Sequence, residues 1–543
     1  MSDTHDVFNQ SKPLLDYNLF SDDLALRSAV IREGAGWAES DLTGFGALTG
    51  SADVIELGRL ANGTPPVLKA FDRSGHRIND VEYHPSYHQL MSISMAHGLH
   101  SQWWTDGQPG GLVARCAKNY MMTQVEPGHG CPITMTFAAV PALRCSETHF
   151  ATWEPLITSR EYDPRNIPGH EKSACTVGMA MTEKQGGSDV RANTTRAFEQ
   201  GDGTFRLVGH KWFCSAPMSD LFLTLAHDDV GLSCFLVPRW TPDGKANYMD
   251  LQRLKDKLGN QSNASSEIEY NQAYAERIGE PGRGVRTILE MVTHTRLDCV
   301  VASAALMRQC LSQAVHHSQQ RHTFGKRLVE HSLMQNVLAD ITVEVEAATM
   351  LGFRLARAYE EGRDDARQAG FARIATAIGK YWICKRAPAV AYEAMECFGG
   401  NGYVEAHPMA RLYREAPLNS IWEGSGNVIC LDVLRAMKRE PEAFATLQSE
   451  LSSVTGQDPR YDALLKRITT TMSDLRSVEM HARRLVEDLA LALQASLLIR
   501  DGDPAITEAF IDSRLTSERR ACFGTLSSAI NAGQLLTRAN PHG

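Results

Sequence analysis

Hydrophobic positions recur at two different spacings along this chain, and the spacings separate helical parts from a strand-rich part. Residues 90–100 and 133–143 repeat apolar side chains at intervals of three and four, which predicts helices. A further helix is predicted to begin after Ser21 or Asp22, whose side chains can cap it. Residues 175–277 instead hold short runs of β-branched and aromatic residues separated by turns rich in glycine and aspartate. These runs predict a small antiparallel sheet.

Helical spacing resumes at residue 278. Four long amphipathic segments joined by short connections predict a helix bundle, and they cover residues 285–320, 332–361, 366–395 and 427–438. The next stretch, 439–461, is predicted to be a polar connector, followed by helices at about 460–499 and 504–535. The pattern therefore predicts four domains: 1–174, 175–277, 278–440 and 441–543.

The composition narrows the class of protein. Of 543 residues, 43% are hydrophobic and 22% are charged, as expected for a globular protein with a large core. There is no run of 18 apolar residues, which argues against a membrane span. Twelve cysteines without a Cys-x-x-Cys pair, and an N-terminus unlike a signal peptide, predict reduced thiols and a cytoplasmic location. A formal charge of -9 argues against a chain that is basic throughout, although it is compatible with a local basic patch.

Four histidines of the second helical part invite a metal interpretation: His294, His316, His317 and His322. No carboxylate joins them at the spacing of a ligand set, and histidines on a polar helix face are ordinarily solvated. We therefore predict no metal site.

A glycine-rich stretch near the end of the bundle carries the strongest candidate chemistry. Gly399, Gly400 and Gly402 precede the element 421–426, in which Glu423 stands between a tryptophan and a glycine. Glycine lets backbone approach a ligand where a Cβ would clash, so this carboxylate can be pressed against a bound molecule. The alternative is a surface turn with a solvated glutamate.

Three other stretches could contact a planar or anionic ligand. Residues 181–190 contain paired glycines and hydroxyls that offer backbone N–H groups, although a plain β-turn is the alternative. Residues 209–215 form an aromatic strand ending in a serine, whereas strand aromatics more often pack in a core. The string 321–325 carries Arg321 and Phe324 before a glycine, which is also typical of a helix C-cap.

Taken together, these stretches resemble the acyl-CoA dehydrogenase family of flavoproteins. Thr182, Gly187 and Ser188 match the loop with which that family surrounds its flavin ring. Phe213 and Ser215 match the strand that follows.

Glu423 lies 23 positions after Gly400, as does the catalytic glutamate of that family. Lys184-Gln185 stands where the family usually has Pro-Gly. This departure resembles the AidB branch of the family, the DNA alkylation-response flavoproteins. Residues 254–270 look like the next strand of the same branch. The resemblance implies a mainly α fold with a small antiparallel β domain. It would comprise a helical N-terminal domain, a β-barrel middle domain, a four-helix bundle and an extra C-terminal helical domain.

The resemblance also implies FAD as the cofactor. In the family, the arm that carries Arg321 and Phe324 reaches the FAD of a neighbouring subunit, so the protein would be at least a dimer, and a tetramer if it assembles as the family does. Arginine suits this task because its planar fork binds phosphate oxygens bidentately. The matching cofactor contacts are Met181, Thr182, Gly187, Ser188, Phe213, Cys214, Ser215, Arg321, Phe324, Glu396, Gly400, Trp422, Gly424, Ser425 and Asn427.

The family reaction removes an α-proton and a β-hydride from an acyl-CoA thioester. The resemblance makes Glu423 the base that takes the proton, and Arg296 matches an arginine that packs near the catalytic carboxylate. Thr295 occupies the position of the base in two other branches, which leaves Glu423 as the candidate. Glu396 replaces a common glutamine and Trp422 a common tyrosine, so we expect weak activity. The resemblance to the AidB branch implies that this activity is of the isovaleryl-CoA type.

The extra region, 441–543, resembles the part with which the AidB branch binds double-stranded DNA. It contains eleven lysines and arginines against thirteen aspartates and glutamates, a balance of −2, and a solvated face of mixed charge is the alternative. The candidate phosphate contacts are Arg435, Lys438, Arg439, Lys466, Arg467, Arg476, Arg483, Arg484, Arg519 and Arg520. We see no base-reading motif, so recognition would not depend on sequence.

Three functional hypotheses follow. The first is an AidB-like FAD protein that binds duplex DNA, protects it from alkylation or helps to repair it, and retains weak acyl-CoA dehydrogenase activity. The second is a genuine acyl-CoA dehydrogenase whose C-terminal helical domain serves assembly. The third is a flavin-binding structural or regulatory protein without turnover.

Overall fold

The computed structural model describes residues 3–473, 478–516 and 520–542. These residues form eighteen α-helices. They are α1 (Leu24–Arg32), α2 (Glu39–Thr49), α3 (Ala52–Gly63), α4 (Pro85–Ala96), α5 (Gln102–Asp106), α6 (Gly111–Val125), α7 (Gly130–Leu143), α8 (Glu147–Ile157), α9 (Gly284–Gln320), α10 (Ser332–Glu361), α11 (Ala366–Cys397), α12 (Pro408–Glu415), α13 (Gly426–Arg439), α14 (Pro441–Ser452), α15 (Pro459–Ser473), α16 (Ala482–Asp501), α17 (Pro504–Leu515) and α18 (Ala532–Ala539).

The same residues form eleven strands. They are β1 (Val67–Phe71), β2 (Arg77–Glu82), β3 (Val177–Ala180), β4 (Arg196–Glu199), β5 (Thr204–Ser215), β6 (Leu221–Asp228), β7 (Gly231–Pro238), β8 (Met249–Leu254), β9 (Ser265–Ile278), β10 (His322–Thr323) and β11 (Lys326–Arg327). No helix in the described part of the chain is long and apolar enough to cross a membrane.

The chain folds into two compact units. One contains Met1–Ala52, Pro109–Gln124 and Cys299–Gly543, and the other contains Asp53–Gln108 and Val125–Asp298. Both units draw on the predicted domain 1–174, and the boundary at residue 298 falls within α9.

The second unit is built around a closed β-barrel. Strands pair in the ring β4–β5–β9–β7–β6 and back to β4, with β3 added beside β6 and β8 beside β9. Alternate side chains of these strands fill the interior, where Phe205, Phe222, Phe235 and Ile268 are buried. Burial of these large apolar side chains stabilises the barrel by about 1.5–3 kcal/mol each.

Two features of this unit differ from the sequence-based predictions. The barrel is not purely antiparallel, because β3 pairs with β6 in parallel over four residues and β4 meets β6 in parallel at Arg196. Parallel pairing requires a long connection, which residues 181–220 provide between β3 and β6. In addition, the predicted helical domain 1–174 contains the antiparallel hairpin β1–β2.

The first unit contains the predicted bundle. Helices α10, α11 and α13 match three predicted segments to within two residues at either end, and α9 begins one residue before the fourth. Ser303 of α9 donates to the Sγ atom of Cys384 of α11 at 3.3 Å, and α11 packs on α10 and α13. The N-cap of α1 is Asp23, one residue beyond the predicted start, and its carboxylate accepts from the amide of Leu26 at 3.1 Å.

The C-terminal region departs further from prediction. The predicted polar connector 439–461 contains helix α14, which begins at a proline and buries Ala443, Leu447 and Leu451 against α11. These apolar positions are four apart and face the bundle, so tertiary packing stabilises a helix in a sequence rich in polar residues. The predicted helix 504–535 is shorter than expected, because α17 ends at Leu515 and α18 begins only at Ala532.

Candidate functional site

The candidate catalytic loop connects α12 to α13. Glu423 adopts a left-handed backbone conformation with φ +56°, and Gly424 follows with φ +110°. A left-handed conformation is costly for a residue with a Cβ and persists only where the surroundings impose it. The strain at Glu423 therefore marks the loop as a constrained element.

Lys380 of α11 supplies that constraint. Its side chain is buried, and its Nζ atom donates to the carbonyl oxygens of Asn419 at 3.0 Å, Trp422 at 2.9 Å and Gly424 at 2.7 Å. An ammonium group has three donors, and here each finds a backbone acceptor. Because two of these acceptors belong to the residues on either side of Glu423, the backbone there is held from both directions.

Side chains brace the same loop. The indole N–H of Trp422 donates to the side-chain oxygen of Asn419 at 2.8 Å, and the amide nitrogen of Asn419 donates to Ser303 at 3.1 Å. The loop is thereby tied to α9 as well as to α11. Ser425, exposed, is the N-cap of α13, and Asn427, also exposed, accepts from Nε of Arg483 at 2.8 Å.

The two predicted flavin stretches lie together in the second unit. The amide of Trp212 donates to the carbonyl of Thr182 at 2.8 Å, and the amide of Lys184 donates to Nε2 of His210 at 2.9 Å. The loop 181–188 therefore lies beside β5, as the resemblance requires.

A buried ion pair fixes this arrangement. Glu183 accepts from Lys211 Nζ at 2.9 Å and from the amides and hydroxyls of Thr194 and Thr195 at 2.6–3.2 Å. Burial opposes ionisation of Glu183, but the Lys211 ammonium and these hydrogen bonds outweigh it and hold the pKa at about 2. Both side chains are fully buried, so the carboxylate anchors the loop rather than facing a ligand.

The groups left accessible here fit a planar, polar ring system. Phe213 is 49% exposed at the end of β5, Ser188 is exposed and Ser215 is half-buried, so an aromatic face lies in the same strand as a hydroxyl. Gly187 packs so closely on Thr182 that a Cβ would lie 2.5 Å from its hydroxyl oxygen. Met181 is half-buried, whereas the Cys214 side chain is in the barrel core, where burial raises the pKa of the thiol to about 12. Cys214 can therefore offer a ligand only its backbone.

The predicted intersubunit arm is a small ribbon at the end of α9. Strands β10 and β11 pair over two residues, and between them Phe324 (φ +50°) and Gly325 (φ +78°) form a left-handed turn. Phe324 is 96% exposed, which is unusual for an aromatic side chain. Arg321, at the base of the ribbon, donates from its guanidinium to the carbonyl of Asn9.

The glycine stretch after α11 forms a 3-10 turn. Gly399 is left-handed with φ +58°, and Gly402 lies so near the carbonyl of Met395 that a Cβ would be 2.2 Å from its oxygen. Glycine is therefore required at Gly402 by packing. Gly400 and Glu396 are exposed, so both are accessible to a ligand or a partner.

The other predicted residues have varied surroundings. Arg296 is half-buried on α9. The expectation of solvated histidines is wrong for three of the four: His294 is buried against Trp103, Trp104 and Phe137, and His316 and His317 are buried and hydrogen-bonded. Among described residues, no group of three or more His, Cys, Asp or Glu side chains is placed to hold a metal ion.

Several predicted phosphate contacts lie around one open cleft between α15 and α16. The cleft has a volume of about 530 Å³ and is lined by Lys466, Arg467, Arg484 and His481 together with Thr470, Thr471 and Ala463. Lys466 and Arg484 are exposed and pair with no carboxylate in the described ranges, whereas Arg467 forms a bidentate pair with Asp488 at 3.0 and 3.1 Å.

The remaining predicted cations that the structure describes do not line this cleft. Arg483 is exposed but bonded to Asn427, and the other exposed residues are Arg435, Lys438, Arg439 and Arg520. Arg476 and Arg519 lie outside the described residues.

Sequence-based prediction missed two residues that organise these elements, Lys380 and Asn9. Lys380 stands within an apolar helical stretch, and a lone lysine at such a position signals a buried ammonium with acceptors from elsewhere in the fold. Asn9 carries no comparable signal, because asparagine is common in exposed irregular segments.

Three family models match the chain in succession. The adaptive response protein AidB N-terminal domain covers residues 9–164, the acyl-CoA dehydrogenase middle domain covers 178–273, and the acyl-CoA dehydrogenase C-terminal domain covers 282–438. AidB of Escherichia coli (strain K12) is 45% identical over 93% of this chain and 94% of its own length. Acyl-CoA dehydrogenase family member 11 of Caenorhabditis elegans is 30% identical over 98% of this chain and 86% of its own length.

Solved structures agree. The crystal structure of Caenorhabditis elegans ACDH-11 in complex with C11-CoA has a TM-score of 0.84 at 30% identity and covers 93% of this chain and 91% of that one. A protein described as the Bd2924 apo-form also has a TM-score of 0.84, at 28% identity, over 92% of this chain and all of its own. The mainly α fold with a β-barrel is therefore confirmed. The chain belongs to the acyl-CoA dehydrogenase family, in its AidB-like branch.

Proposed function

We propose that this protein binds an acyl-CoA thioester and has weak dehydrogenase activity in which Glu423 removes the substrate α-proton. FAD is the cofactor that membership of the acyl-CoA dehydrogenase family gives this protein. The observation that carries the proposal is the left-handed Glu423 in a loop that Lys380 holds on both sides. A backbone held in this way positions the Glu423 side chain, and a positioned carboxylate is what proton abstraction requires. The complex of the C. elegans relative with C11-CoA supports an acyl-CoA as the ligand class.

The residues around the two flavin stretches would hold the cofactor. Phe213 would pack on the ring system, while Ser188 and Ser215 would donate to its polar edge. Bound FAD supplies the hydride acceptor for the β-position of the substrate. Lys380 would keep the loop in place while Glu423 takes the α-proton.

The direct test is anaerobic reduction of the bound flavin by acyl-CoA thioesters, including isovaleryl-CoA, followed by absorbance. Wild-type protein should carry a flavin spectrum that bleaches on addition of substrate. Glu423→Gln should keep the spectrum and the FAD content but lose bleaching by at least about 10²-fold, as expected for loss of a catalytic base. Bleaching at the wild-type rate would exclude Glu423 as the base.

The matched control is Glu405→Gln, which also removes a carboxylate before α13. Glu405 pairs with Arg414 on an exposed surface. In the Glu405→Gln variant, acyl-CoA should reduce the bound flavin at the wild-type rate. If no acyl-CoA bleaches the wild-type flavin, the protein is a flavin-binding protein without turnover.

A second proposed function is binding of double-stranded DNA in the alkylation-damage response. The specific observation that favours it is the cleft between α15 and α16, where Lys466 and Arg484 are exposed and pair with no carboxylate among the described residues. Such a cleft suits phosphate oxygens, which bind cations without regard to sequence. The matching family model is named for the adaptive response protein, which agrees with this role.

Deletion of residues 441–543 is a poor test, because α14 and α16 both pack on α11 of the bundle. The sharper test is Lys466→Gln with Arg484→Gln, measured by fluorescence anisotropy of labelled duplex DNA at 50 and 200 mM salt. We expect the slope of log affinity against log salt to fall by about 2. Lys245→Gln with Arg59→Gln removes the same charge from exposed surface pairs and should leave affinity and slope nearly unchanged.

If both double variants bind the duplex equally well, the cleft is not the phosphate site. If the wild type does not bind DNA, the protein is a dehydrogenase whose C-terminal helices serve assembly. We further propose a cytoplasmic location. We also propose assembly as at least a dimer, in which Arg321 and the exposed Phe324 contact the FAD of the partner subunit, with a tetramer as the complete form.

A further inference from the structure

Residues 9–12 lie across the base of the predicted intersubunit arm. We define the arm as residues 321–327 and the N-terminal strap as residues 9–12. The side-chain amide of Asn9 makes two hydrogen bonds with the backbone of His322: its Nδ2 donates to the carbonyl at 2.9 Å, and its Oδ1 accepts from the amide at 2.7 Å. The carbonyl of Asn9 accepts from Arg321.

The rest of the strap is bonded to the last turns of α9. Ser11 Oγ lies 2.7 Å from Nδ1 of His317, the amide of Lys12 donates to Gln320 at 2.8 Å, and Nε2 of His316 donates to the carbonyl of Lys12 at 2.8 Å. Apolar burial contributes little here, because the preceding Val7 and Phe8 are 85% and 81% exposed. Polar contacts therefore define where the strap lies.

The strap also reaches the glycine stretch. Asn401 donates to the side-chain oxygen of Gln10 at 3.2 Å, and the ring of His317, bonded to Ser11, stacks on Phe398 at 4.2 Å. The strap consequently connects two segments, the arm and residues 398–402, that are separate in the sequence and are both candidate contacts to a cofactor.

A ribbon of two residue pairs has little stability of its own. The arm needs support at its base if Arg321 and Phe324 are to keep a defined direction. Asn9 provides it by pairing with both polar backbone groups of His322, much as a neighbouring strand would. It does so from a left-handed conformation with φ +54°, which asparagine tolerates better than most residues.

We infer that the strap is part of the cofactor site of the partner subunit, with Asn9 as the positioning residue that aims the arm. The inference rests on the proposed function, in which Arg321 and Phe324 contact the partner's FAD. Asn9 itself does not touch the cofactor; it orients Arg321 through its carbonyl and the ribbon through its amide. Loss of that amide should weaken FAD binding without removing any FAD ligand.

The test uses full-length protein in three variants. Asn9→Gly removes the amide but retains freedom for the left-handed backbone. Asn9→Asp keeps the acceptor for the His322 amide and loses the donor to its carbonyl. Arg321→Ala with Phe324→Ala removes both proposed cofactor contacts of the arm. We measure FAD affinity by fluorescence on reconstitution of apoprotein, and hydrogen exchange at the His322 amide.

We expect Asn9→Gly to weaken FAD binding about tenfold, since two hydrogen bonds are lost, with Asn9→Asp intermediate. Exchange at the His322 amide should accelerate in Asn9→Gly and remain slow in Asn9→Asp. In the Arg321→Ala, Phe324→Ala background, Asn9→Gly should cause little further loss of affinity, because its effect passes through the arm. A purely structural role for Asn9 would instead give an additive loss.

The outcomes separate the two proposals. If Arg321→Ala with Phe324→Ala leaves FAD affinity unchanged, the arm is not a cofactor contact, and both the arm assignment and the strap inference are wrong. If that variant weakens binding while Asn9→Gly does not, the arm assignment stands and the strap inference alone is overturned.

Discussion

The Nζ atom of Lys380 lies 2.7 Å from the carbonyl oxygen of Gly424, the residue that follows the candidate base Glu423. The same ammonium bonds the carbonyl of Trp422, so the base is flanked by two residues held by one cation. Lys380 lies on helix α11, 43 positions before Glu423 in the chain. The conformation of Glu423 is therefore set by a contact remote in sequence.

Replacing Lys380 by methionine should free the loop while preserving the length of the side chain. Three carbonyls would lose a charged donor, and we expect a loss of about 3 kcal/mol in the free energy of unfolding. Flavin reduction by acyl-CoA should fall on the order of 10²-fold, since small displacements of a catalytic group have effects of that size. Stopped-flow absorbance measures the rate, and the exposed Lys245→Met is the control. An unchanged rate in Lys380→Met would show that flavin reduction does not need the hydrogen bonds of Lys380 to the loop.

The ion pair between Glu183 and Lys211 predicts a pH-dependent stability of the flavin loop. The pKa of Glu183 is about 2, below its usual 4.5, so its contribution is complete above pH 4.5 and is lost as the pH falls toward 2. Glu183→Gln should lower the free energy of unfolding at pH 7 by about 3 kcal/mol, because Lys211 remains buried without its partner.

Urea unfolding at pH 7 and pH 3 measures the difference in the free energy of unfolding between wild type and Glu183→Gln. This difference should be smaller at pH 3 than at pH 7. The exposed Glu199→Gln should change the free energy of unfolding little at either pH. A difference of equal size at both pH values would show that the ionised carboxylate is not the source of the stabilisation.

His317 should make the strap sensitive to acid over a different range. Burial, with the positive charge of Arg321, lowers the pKa of His317 to about 4. The unfolded chain takes up this proton below about pH 6.5 and the folded chain does not, so stability falls as the pH drops from 6.5 to 4.

His317→Gln should reduce that pH dependence, measured as the shift in melting temperature between pH 7 and pH 5. His170 is a suitable control, since its side chain is 66% exposed. If His317→Gln and the wild type lose the same stability between these pH values, other groups account for the sensitivity.

Two neighbouring glycines should respond differently to alanine. A Cβ at Gly402 would lie 2.2 Å from the carbonyl oxygen of Met395, whereas none of the surrounding atoms lies within 4 Å of a Cβ at Gly400. Gly402→Ala should therefore cost about 1–3 kcal/mol of stability by overpacking. Gly400→Ala should stay within about 0.5 kcal/mol, typical of a surface site, and change only FAD affinity. Equal melting temperatures for the two variants would contradict this assignment.

Much of the fold could be predicted because its elements are long and periodic. The bundle helices α10 and α11 are buried on all sides over long stretches, residues 338–356 and 374–384, and long segments so rich in apolar residues are visible in the sequence. Helix α14 was missed because only Ala443, Leu447 and Leu451 face the bundle, and three apolar residues among polar ones do not specify a helix without the surface that buries them.

The same contrast holds for the site. By itself the sequence determined which residues carry the candidate chemistry, since Glu423 between a tryptophan and glycines, and the loop 181–190, are local motifs. Only the tertiary structure decided what fixes them: Lys380 beneath the catalytic loop, Lys211 beneath Glu183 and Asn9 beneath the arm. The reason is physical. A motif is written in consecutive residues, whereas a buried ammonium or amide can satisfy any backbone group that folding brings within about 3 Å, and sequence distance places no limit on that choice.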